Sequence, residues 1–317
     1  MAENIKINDI RKAEFAGAGA AMVIGFFDGV HRGHQEIIGR CIKKAAETGG
    51  ISVALTFDRP PVNIIKNGIH KKLILAYEDK INIIGGLGID KIITVEIDED
   101  FLDLAPEDFC RDILVGLFDI KYLYIGRGFR FGRGASGDTA FLRRYLGDRD
   151  IIVNEVGLVY SRGKVISSTM IRKYYSSGNI KRIRQLLGRD PFIRGEVVKG
   201  AGRGSKLGIP TANMEPGNRL VLPEDGVYAG TVSRSKSPEE KMPSVINIGD
   251  NPTFGDSKRR IESHILDFDK NINGCEIRVD FLERLRREIK FNNPDELKKQ
   301  VAKDIIMTRR YFQRYSV

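Results

Sequence analysis

The chain has 317 residues, of which 41% are hydrophobic and 30% charged, and it carries a net charge of +10 with histidine neutral. This composition is typical of folded globular protein and excludes disordered, collagen-like and coiled-coil chains. No run approaches the ~18 apolar residues of a membrane helix, and the N-terminus lacks the apolar core of a signal peptide, so we expect a cytoplasmic protein without membrane contacts.

The first half alternates between short β-branched runs and helical patterns. Five strands are predicted, at residues 21–27, 51–57, 91–97, 121–126 and 150–156, and four helices between them, at 34–48, 78–87, 106–117 and 138–146. Pro106 and Asp138 stand where helices commonly begin. Buried strands separated by helices predict an α/β fold with a doubly wound parallel sheet, which binds ligands at the carboxyl ends of its strands.

The pattern changes after residue 157. Two short helices are predicted within residues 166–188, followed by five β runs separated by Gly, Pro and Asn turns, and then a final helix from about Pro294 to Tyr315. We therefore expect two domains, residues 1–187 and 188–317, the second a small antiparallel β unit with a C-terminal helix.

The cysteines and the basic charge point to no special partner. Cys41, Cys110 and Cys275 are far apart and in no metal-ligand spacing, which predicts free thiols. The excess charge is divided evenly, +5 in residues 1–185 and +5 in residues 186–317, without a basic arm. A nucleic-acid-binding module remains an alternative of a different class, but no recognisable motif supports it.

The run GFFDGVHRGHQEII at residues 25–38 follows the first predicted strand. It places His31 and His34 at the mouth of a helix, where free backbone amides and the helix dipole favour an anion. Gly29 and Gly33 let the backbone approach a ligand closely. Imidazoles there can donate to phosphate oxygens as charge develops on a leaving pyrophosphate.

This motif resembles the GxFDGVHxGH sequence of the adenylyltransferase domain of prokaryotic bifunctional riboflavin kinase/FAD synthetases, a branch of the HxGH nucleotidyltransferases. Three further segments are similar to that family in the same order: TFDRPP at 56–61, YIGRGFRFGRGASGD at 124–138 and ISSTMIR at 166–172. The resemblance covers nearly the whole chain.

The resemblance implies the residues of the first site. Those lining the ATP site would be Gly25, Phe26, Asp28, His31, Gly33 and His34, and those closing over its phosphates would be Ser167, Ser168, Thr169 and Arg172. Flavin would contact Phe57, Phe129 and Phe131. Hydroxyls and amides at a helix start, with an arginine one turn on, are a plausible phosphate clamp on physical grounds as well.

Two of these motifs depart from the family pattern. Arg59, Pro60 and Pro61 stand where TFDPHP would place Pro, His and Pro, and Gly128 replaces the acid or amide that precedes FxFG. Arg127 and Arg130 are nearby cations that could bind the FMN phosphate or lie in solvent. The departures leave a narrower alternative open, a riboflavin kinase with weak or lost FMN adenylyltransferase activity.

The second glycine-rich stretch is RGEVVKGAGRGSKLGIPTANM at residues 194–214. It is neither a Walker A loop nor a dinucleotide fingerprint, because GxxxxGK[ST] is absent and PTAN follows where a helix would begin. With GVYAG at 226–230, NIGDNPTF at 247–254, ESHILDF at 262–268 and LRREIKF at 285–291, it resembles the riboflavin kinase module, a small antiparallel β-barrel with a C-terminal helix.

By that resemblance, Glu262 would be the general base for the ribityl hydroxyl, and Thr211 and Asn213 would hold Mg²⁺ and ATP phosphates. The other ATP-binding residues implied are Gly200, Gly202, Gly204, Lys206 and Pro210. His264 is predicted to be structural or orienting. Arg286 and Phe291 would help to bind flavin.

The implied function is a bifunctional transferase. It phosphorylates riboflavin to FMN and then adenylylates FMN to FAD, with ATP as co-substrate, Mg²⁺ as cofactor, and ADP and pyrophosphate as the by-products. Its expected partners are therefore these small molecules, and neither nucleic acid nor a membrane.

Overall fold

The computed structural model describes residues 2–7, 19–60, 71–116, 118–200, 204, 208–217, 219–250 and 259–315. The chain divides into two compact units, Met1–Ser168 and Thr169–Val317. The first contains a parallel sheet with helices and the second a closed antiparallel barrel with a terminal helix, so the predicted fold class is confirmed.

The first unit is built on a six-stranded sheet. Its strands are β1 (Glu3–Ile7), β2 (Ala20–Ile24), β3 (Ser52–Phe57), β4 (Lys91–Val95), β5 (Ile120–Gly126) and β6 (Ile152–Val156). The spatial order is β1-β4-β3-β2-β5-β6 and every neighbouring pair is parallel. The carboxyl ends of β2, β3 and β5 therefore meet at one edge of the sheet.

Helices cover this sheet. They are α1 (Arg32–Thr48), α2 (Tyr77–Gly86), α3 (Glu99–Leu102), α4 (Pro106–Asp108), which continues as a π-helix over Phe109–Val115, and α5 (Thr139–Gly147). The predicted start signals are confirmed: Pro106 opens α4, and the Asp138 carboxylate accepts from the Phe141 N–H over 2.9 Å. A short hairpin, β7 (Tyr160–Ser161) and β8 (Lys164–Val165), follows the sheet.

The central strands are apolar because both faces of the sheet are covered. All residues of β2 and β3 are buried, including Ser52 and Thr56, and Leu55 and Leu123 are fully inaccessible. Sequence analysis missed β1, a short strand that pairs with β4 at the edge of the sheet.

The second unit begins with two helices, α6 (Ser168–Tyr175), whose first residue belongs to the first unit, and α7 (Ile180–Leu187). The barrel strands are β9 (Phe192–Val198), β10 (Ala212–Met214), β11 (Gly226–Arg234), β12 (Ser237–Asp250), β13 (Arg259–Ile265) and β14 (Glu276–Arg286), and the chain ends in α8 (Pro294–Tyr315). The barrel order is β10-β13-β12-β11-β14-β9. Its core contains Tyr228 and Phe281, both fully buried.

Two further sequence expectations concern the cysteines and membrane-spanning helices. Cys41 and Cys110 are buried and Cys275 is exposed, all as free thiols. Across the described part of the chain, no helix is long and apolar enough to cross a membrane.

Candidate active sites

The first site lies in the turn between β2 and α1. Phe27 and Val30 have positive φ angles of 56° and 37°, and the Val30 N–H donates to the Phe27 carbonyl over 2.9 Å. A β-branched residue rarely adopts that conformation, which costs of order 1–3 kcal/mol. Backbone strain is thus concentrated in the turn that the HxGH motif predicts to be functional.

Two glycines of this turn make room for aromatic rings. A Cβ on Gly25 would lie 2.6 Å from the Phe27 ring, and a Cβ on Gly33 would lie 3.2 Å from Cε1 and Nδ1 of His31. Any larger residue at Gly25 would displace Phe27. That Gly25 and Gly33 lie close to a ligand stays a prediction. Their role in packing follows from these distances.

His31 and His34 are brought together at the start of α1. His31 is its N-cap, with 5% of its surface exposed, and its Nδ1 accepts from the His34 N–H over 3.3 Å. The two rings stack with centroids 3.6 Å apart. Because Nδ1 of His31 accepts, its neutral form carries the proton on Nε2, a donor suited to a phosphate oxygen. The first turn, Arg32–Gln35, contains no acidic residue to offset the positive end of the helix.

Asp28 holds the turn in place. Its carboxylate, in a residue only 5% exposed, accepts from the Ile74 N–H over 2.9 Å, and its carbonyl accepts from the Ser168 hydroxyl over 2.9 Å. The structure therefore joins the SST motif to the HxGH turn through Ser168. Thr169 and Arg172 lie further along α6, in the second unit.

The three phenylalanines predicted to contact flavin belong to one aromatic cluster. Phe57 and Phe131 are buried in it, and Phe131 lies 5.0 Å from the ring of Phe109. Phe129 is half-buried and lies over Phe131 at 5.8 Å with nearly parallel rings. Phe129 is therefore the most accessible of the three, and flavin contact by this cluster stays a prediction.

Lys80 is a residue of this edge that sequence analysis missed. It lies on α2, is almost fully buried, and donates to the Phe57 carbonyl over 2.6 Å. The sequence contains one signal that Lys80 is buried, its helical register: Lys80 precedes buried Ile84 by four residues and so lies on the same face of the helix.

The second site lies on the barrel of the second unit. In the strand register Glu262 of β13 pairs with Asn213 of β10 on one side and with Asn247 of β12 on the other. Residues paired in this way point to the same face of a sheet. The fold thus places the predicted base beside the PTAN motif, and it adds Asn247, which the motif comparison did not single out.

Thr211 and Asn213 are in direct contact. The Asn213 side-chain amide donates to the Thr211 carbonyl over 3.2 Å and to its hydroxyl over 3.3 Å. A Cβ on Gly200 would lie 2.4 Å from Nδ2 of Asn213, and one on Gly204 would lie 2.4 Å from the Ile209 carbonyl. Two of the predicted loop glycines are therefore required by close packing. Gly202 and Lys206 lie outside the described residues.

A cavity of about 250 Å³ opens beside Thr211. Its walls combine apolar side chains, among them Val197, Ile265 and Phe268, with polar and charged residues of a loop that sequence analysis did not predict to be functional, residues 269–273. Pro210 lines the cavity too, and its carbonyl accepts from Nδ1 of His264 over 2.8 Å. The structural or orienting role of His264 stays a prediction.

Arg286 is held by the terminal helix. Its guanidinium donates to both carboxylate oxygens of Asp304 on α8 at 2.8–3.1 Å, and Asp304 is 1% exposed. The guanidinium carbon lies 5.9 Å from the centroid of the Phe291 ring. This pair ties β14 to α8, and the flavin-binding role of Arg286 and Phe291 stays a prediction. In the described residues, no group of three or more His, Cys, Asp or Glu side chains could hold a metal ion.

Comparison with known proteins accounts for both units. A family model described as FAD synthetase matches residues 15–170, and one described as riboflavin kinase matches residues 187–312. Proteins named bifunctional riboflavin kinase/FMN adenylyltransferase match across the chain. The one from Buchnera aphidicola subsp. Schizaphis graminum is 33% identical, covering 96% of this chain and 98% of the relative. The one from Bacillus subtilis (strain 168) is 34% identical, covering 93% of each.

A solved structure shares the fold. The crystal structure titled macrolide-efflux protein from Streptococcus pneumoniae superposes with a TM-score of 0.88 at 29% identity, covering 96% of this chain and 98% of that one. Its title names another activity than the sequence relatives do, although the fold is the same.

Proposed function

The chain belongs to the family of bifunctional riboflavin kinase/FMN adenylyltransferases, and we propose which of its residues carry the two reactions. It phosphorylates riboflavin to FMN and adenylylates FMN to FAD, each time with ATP. The matches to both domain families do not favour a kinase without the second activity. The observation that carries the assignment is that each compact unit corresponds closely to one of the two family domains and contains one of the motifs predicted to bind phosphate.

In the kinase unit, Glu262 would act as the general base. The ribityl hydroxyl of riboflavin attacks the γ-phosphorus of ATP, the bond to the bridging oxygen breaks, and ADP leaves. An alcohol must lose its proton as it attacks, and a carboxylate in reach of that hydroxyl accepts it. The register that sets Glu262 between two asparagines supports this role, because amides can orient the carboxylate without neutralising it.

The donor set of PTAN fits Mg²⁺. This ion prefers hard oxygen ligands and retains several waters, so it is usually bound by few protein groups together with substrate phosphates. The Thr211 hydroxyl and the Asn213 carbonyl oxygen are such ligands, on two residues already in contact. Bound there, Mg²⁺ would neutralise charge on the ATP phosphates. The cavity beside Thr211, which combines apolar walls such as Phe268 and Ile272 with polar groups such as Asn271 and Asn273, suits the adenine end of that ATP.

In the first unit, the FMN phosphate would attack the α-phosphorus of ATP, and pyrophosphate would leave as the bond from that phosphorus to the bridging oxygen breaks. The nucleophile is already ionised at neutral pH, so no general base is required. His31, His34 and the amides of α1 would stabilise the charge that develops on the leaving group. Roles for Ser167, Thr169 and Arg172 in holding the phosphates remain part of this proposal.

The functional boundary after residue 187 and the cytoplasmic location also remain proposals. The family matches leave residues 171–186 between the two domains. Helices α6 and α7 are contained almost wholly in the second compact unit. Truncations at either end of these linking helices would test to which of the two domains they belong.

One assay tests the assignment. Riboflavin, ATP and Mg²⁺ are incubated with the protein, and FMN and FAD are separated by chromatography. We expect FMN first and then FAD. A second reaction started from FMN must yield FAD with stoichiometric pyrophosphate; if FMN accumulates and no FAD forms in either reaction, the first unit is not an adenylyltransferase.

A further inference from the structure

Lys80 is a buried cation at the edge of the sheet that carries the HxGH turn. Only 3% of it is exposed, and its ammonium donates to the Phe57 carbonyl over 2.6 Å, the Thr56 hydroxyl over 3.2 Å and the Phe26 carbonyl over 3.3 Å. An ammonium has three donors. All three are therefore used within the protein, and none is left to bind a substrate.

The three oxygens that accept from Lys80 belong to the ends of two neighbouring strands, β2 and β3, so the ammonium joins these ends. The last backbone bond between β2 and β3 runs from the Gly25 N–H to the Leu55 carbonyl over 3.1 Å. Beyond it, Phe26 enters the HxGH turn and Phe57 ends β3. Past that point, the Thr56 hydroxyl and the Lys80 ammonium link the two strand ends, with Thr56 donating to the Phe26 carbonyl over 3.3 Å.

The surroundings of Lys80 are charged on several sides. Asp28 of the HxGH turn and Asp58 after β3 face it, and the rings of Phe26 and Tyr77 lie 4.4 and 5.7 Å from its Nζ. Lys6 of β1 lies 5.9 Å from the same Tyr77 ring. The pKa of Lys80 is lowered to about 8 because desolvation, which disfavours the charged form, outweighs the attraction of the two carboxylates, which raises the pKa.

The loss of this proton changes the hydrogen bonding. Below its pKa Lys80 is an ammonium with three donors; above it, the amine has two donors for three oxygens. Raising the pH therefore releases one of the bonds that hold the strand ends and removes the positive charge. Burying an ammonium away from water has a large cost in folding free energy. Lys80 bears this cost at the edge of the sheet where folds of this class bind ligands.

We propose that Lys80 is a positioning residue for FMN adenylylation, whose ammonium fixes the ends of β2 and β3 and so sets the place of the HxGH turn relative to the residues that follow β3. The inference rests on the proposed adenylyltransferase role of the first unit. It assigns no contact with substrate to Lys80.

The first test compares two variants. Lys80→Met keeps a long unbranched side chain but removes the charge, and Lys43→Met makes the same change on the exposed face of α1. Misplaced reacting groups commonly cost about a hundredfold in rate, so we expect kcat for FAD formation from FMN to fall by about that factor in Lys80→Met alone. Riboflavin phosphorylation by the same molecule serves as the internal control and should stay within about twofold. Equal FAD formation by the two variants would overturn the proposal.

The second test measures a pH profile, beginning with the unmodified chain. For the wild-type chain, the rate of FAD formation relative to FMN formation is followed from about pH 7 to about pH 9.5, and we expect a one-proton decline near pH 8. Lys80→Arg keeps its charge throughout and should lack this decline. A flat wild-type ratio, or the same decline in Lys80→Arg, would refute the role of Lys80. A wild type without FAD formation at any pH would refute the proposed function instead.

Discussion

The Ser168 hydroxyl donates to the backbone carbonyl of Asp28 over 2.9 Å, across 140 residues of sequence. The bond connects the start of α6 with the HxGH turn, and Asp28 in turn anchors that turn by accepting from the Ile74 N–H. Two motifs that are far apart in the chain thus share one hydrogen-bonded unit. A residue that the family resemblance predicts to bind phosphate therefore also has a structural role.

Removing this hydroxyl should slow FAD formation selectively. A neutral hydrogen bond contributes about 0.5–1.5 kcal/mol, so Ser168→Ala should lower kcat/KM for FAD formation about threefold to tenfold and leave riboflavin phosphorylation unchanged. Ser176→Ala is a matched control, since that exposed hydroxyl, directly after α6, donates to the Lys173 carbonyl of the neighbouring helical turn. The same FAD formation in both variants would show that the bond to Asp28 does not support the site.

The histidine pair should be required for FAD formation and dispensable for FMN formation. Loss of one donor to a developing oxyanion costs about 10²–10³-fold, so His31→Ala with His34→Ala should lower FAD formation by at least that factor. The readout is pyrophosphate release from ATP and FMN, with riboflavin phosphorylation measured on the same sample.

The helix cap is a second role of His31 that must be separated from catalysis. Alanine removes the N-cap of α1, which costs about 0.5–2 kcal/mol of stability, whereas asparagine is among the best N-cap residues. His31→Asn should therefore keep the melting temperature and still lose FAD formation. An active His31→Asn would mean that His31 only caps the helix.

Strong periodicity let the sequence predict most elements of the fold. The first of the five β runs predicted for the second domain and the helix predicted from about Pro294 to Tyr315 coincide with β9 (Phe192–Val198) and α8. The elements that were missed are short, among them β1 and β10, which have five and three residues. Strands so short carry little periodicity, and their existence depends on partners far along the chain, β4 for β1 and β13 for β10.

The same reason explains what could be predicted of the sites. A local motif such as HxGH predicted the anion site at the start of α1, because strand, turn and helix are contiguous. The pairing of Glu262 with Asn213 and Asn247 depends on barrel register, which no local pattern specifies. Lys80 was missed because a lysine on an amphipathic helix is usually exposed, and only the tertiary fold buries it.

Glu262→Gln should abolish the kinase reaction alone. The amide keeps the size of the side chain but cannot accept the ribityl proton, so riboflavin phosphorylation should fall about 10²–10⁴-fold. FAD formation from added FMN should continue. Glu283→Gln on β14 is the control, because Glu283 is exposed and on a strand that does not pair with β13. Parallel loss of both activities in Glu262→Gln would argue against two separate sites.

Gly128→Asn tests whether the departure from the family pattern weakens FAD formation. Gly128 follows β5 at the same sheet edge as the HxGH turn, with φ of 78°, and a Cβ there would meet no atom of the described residues within 4 Å. Asparagine tolerates this left-handed conformation better than most residues. Space and backbone thus permit the amide that the family usually carries.

If that amide binds substrate, one added hydrogen bond should raise kcat/KM for FAD formation about threefold to tenfold, without changing riboflavin phosphorylation. Gly134→Asn is the matched control, because Gly134 also has positive φ, 62°, and open space among the described residues around its Cβ position. Both variants should melt at similar temperatures. An unchanged or lower rate in Gly128→Asn would mean that glycine is not a defect here and that the site binds FMN and ATP without an amide at this position.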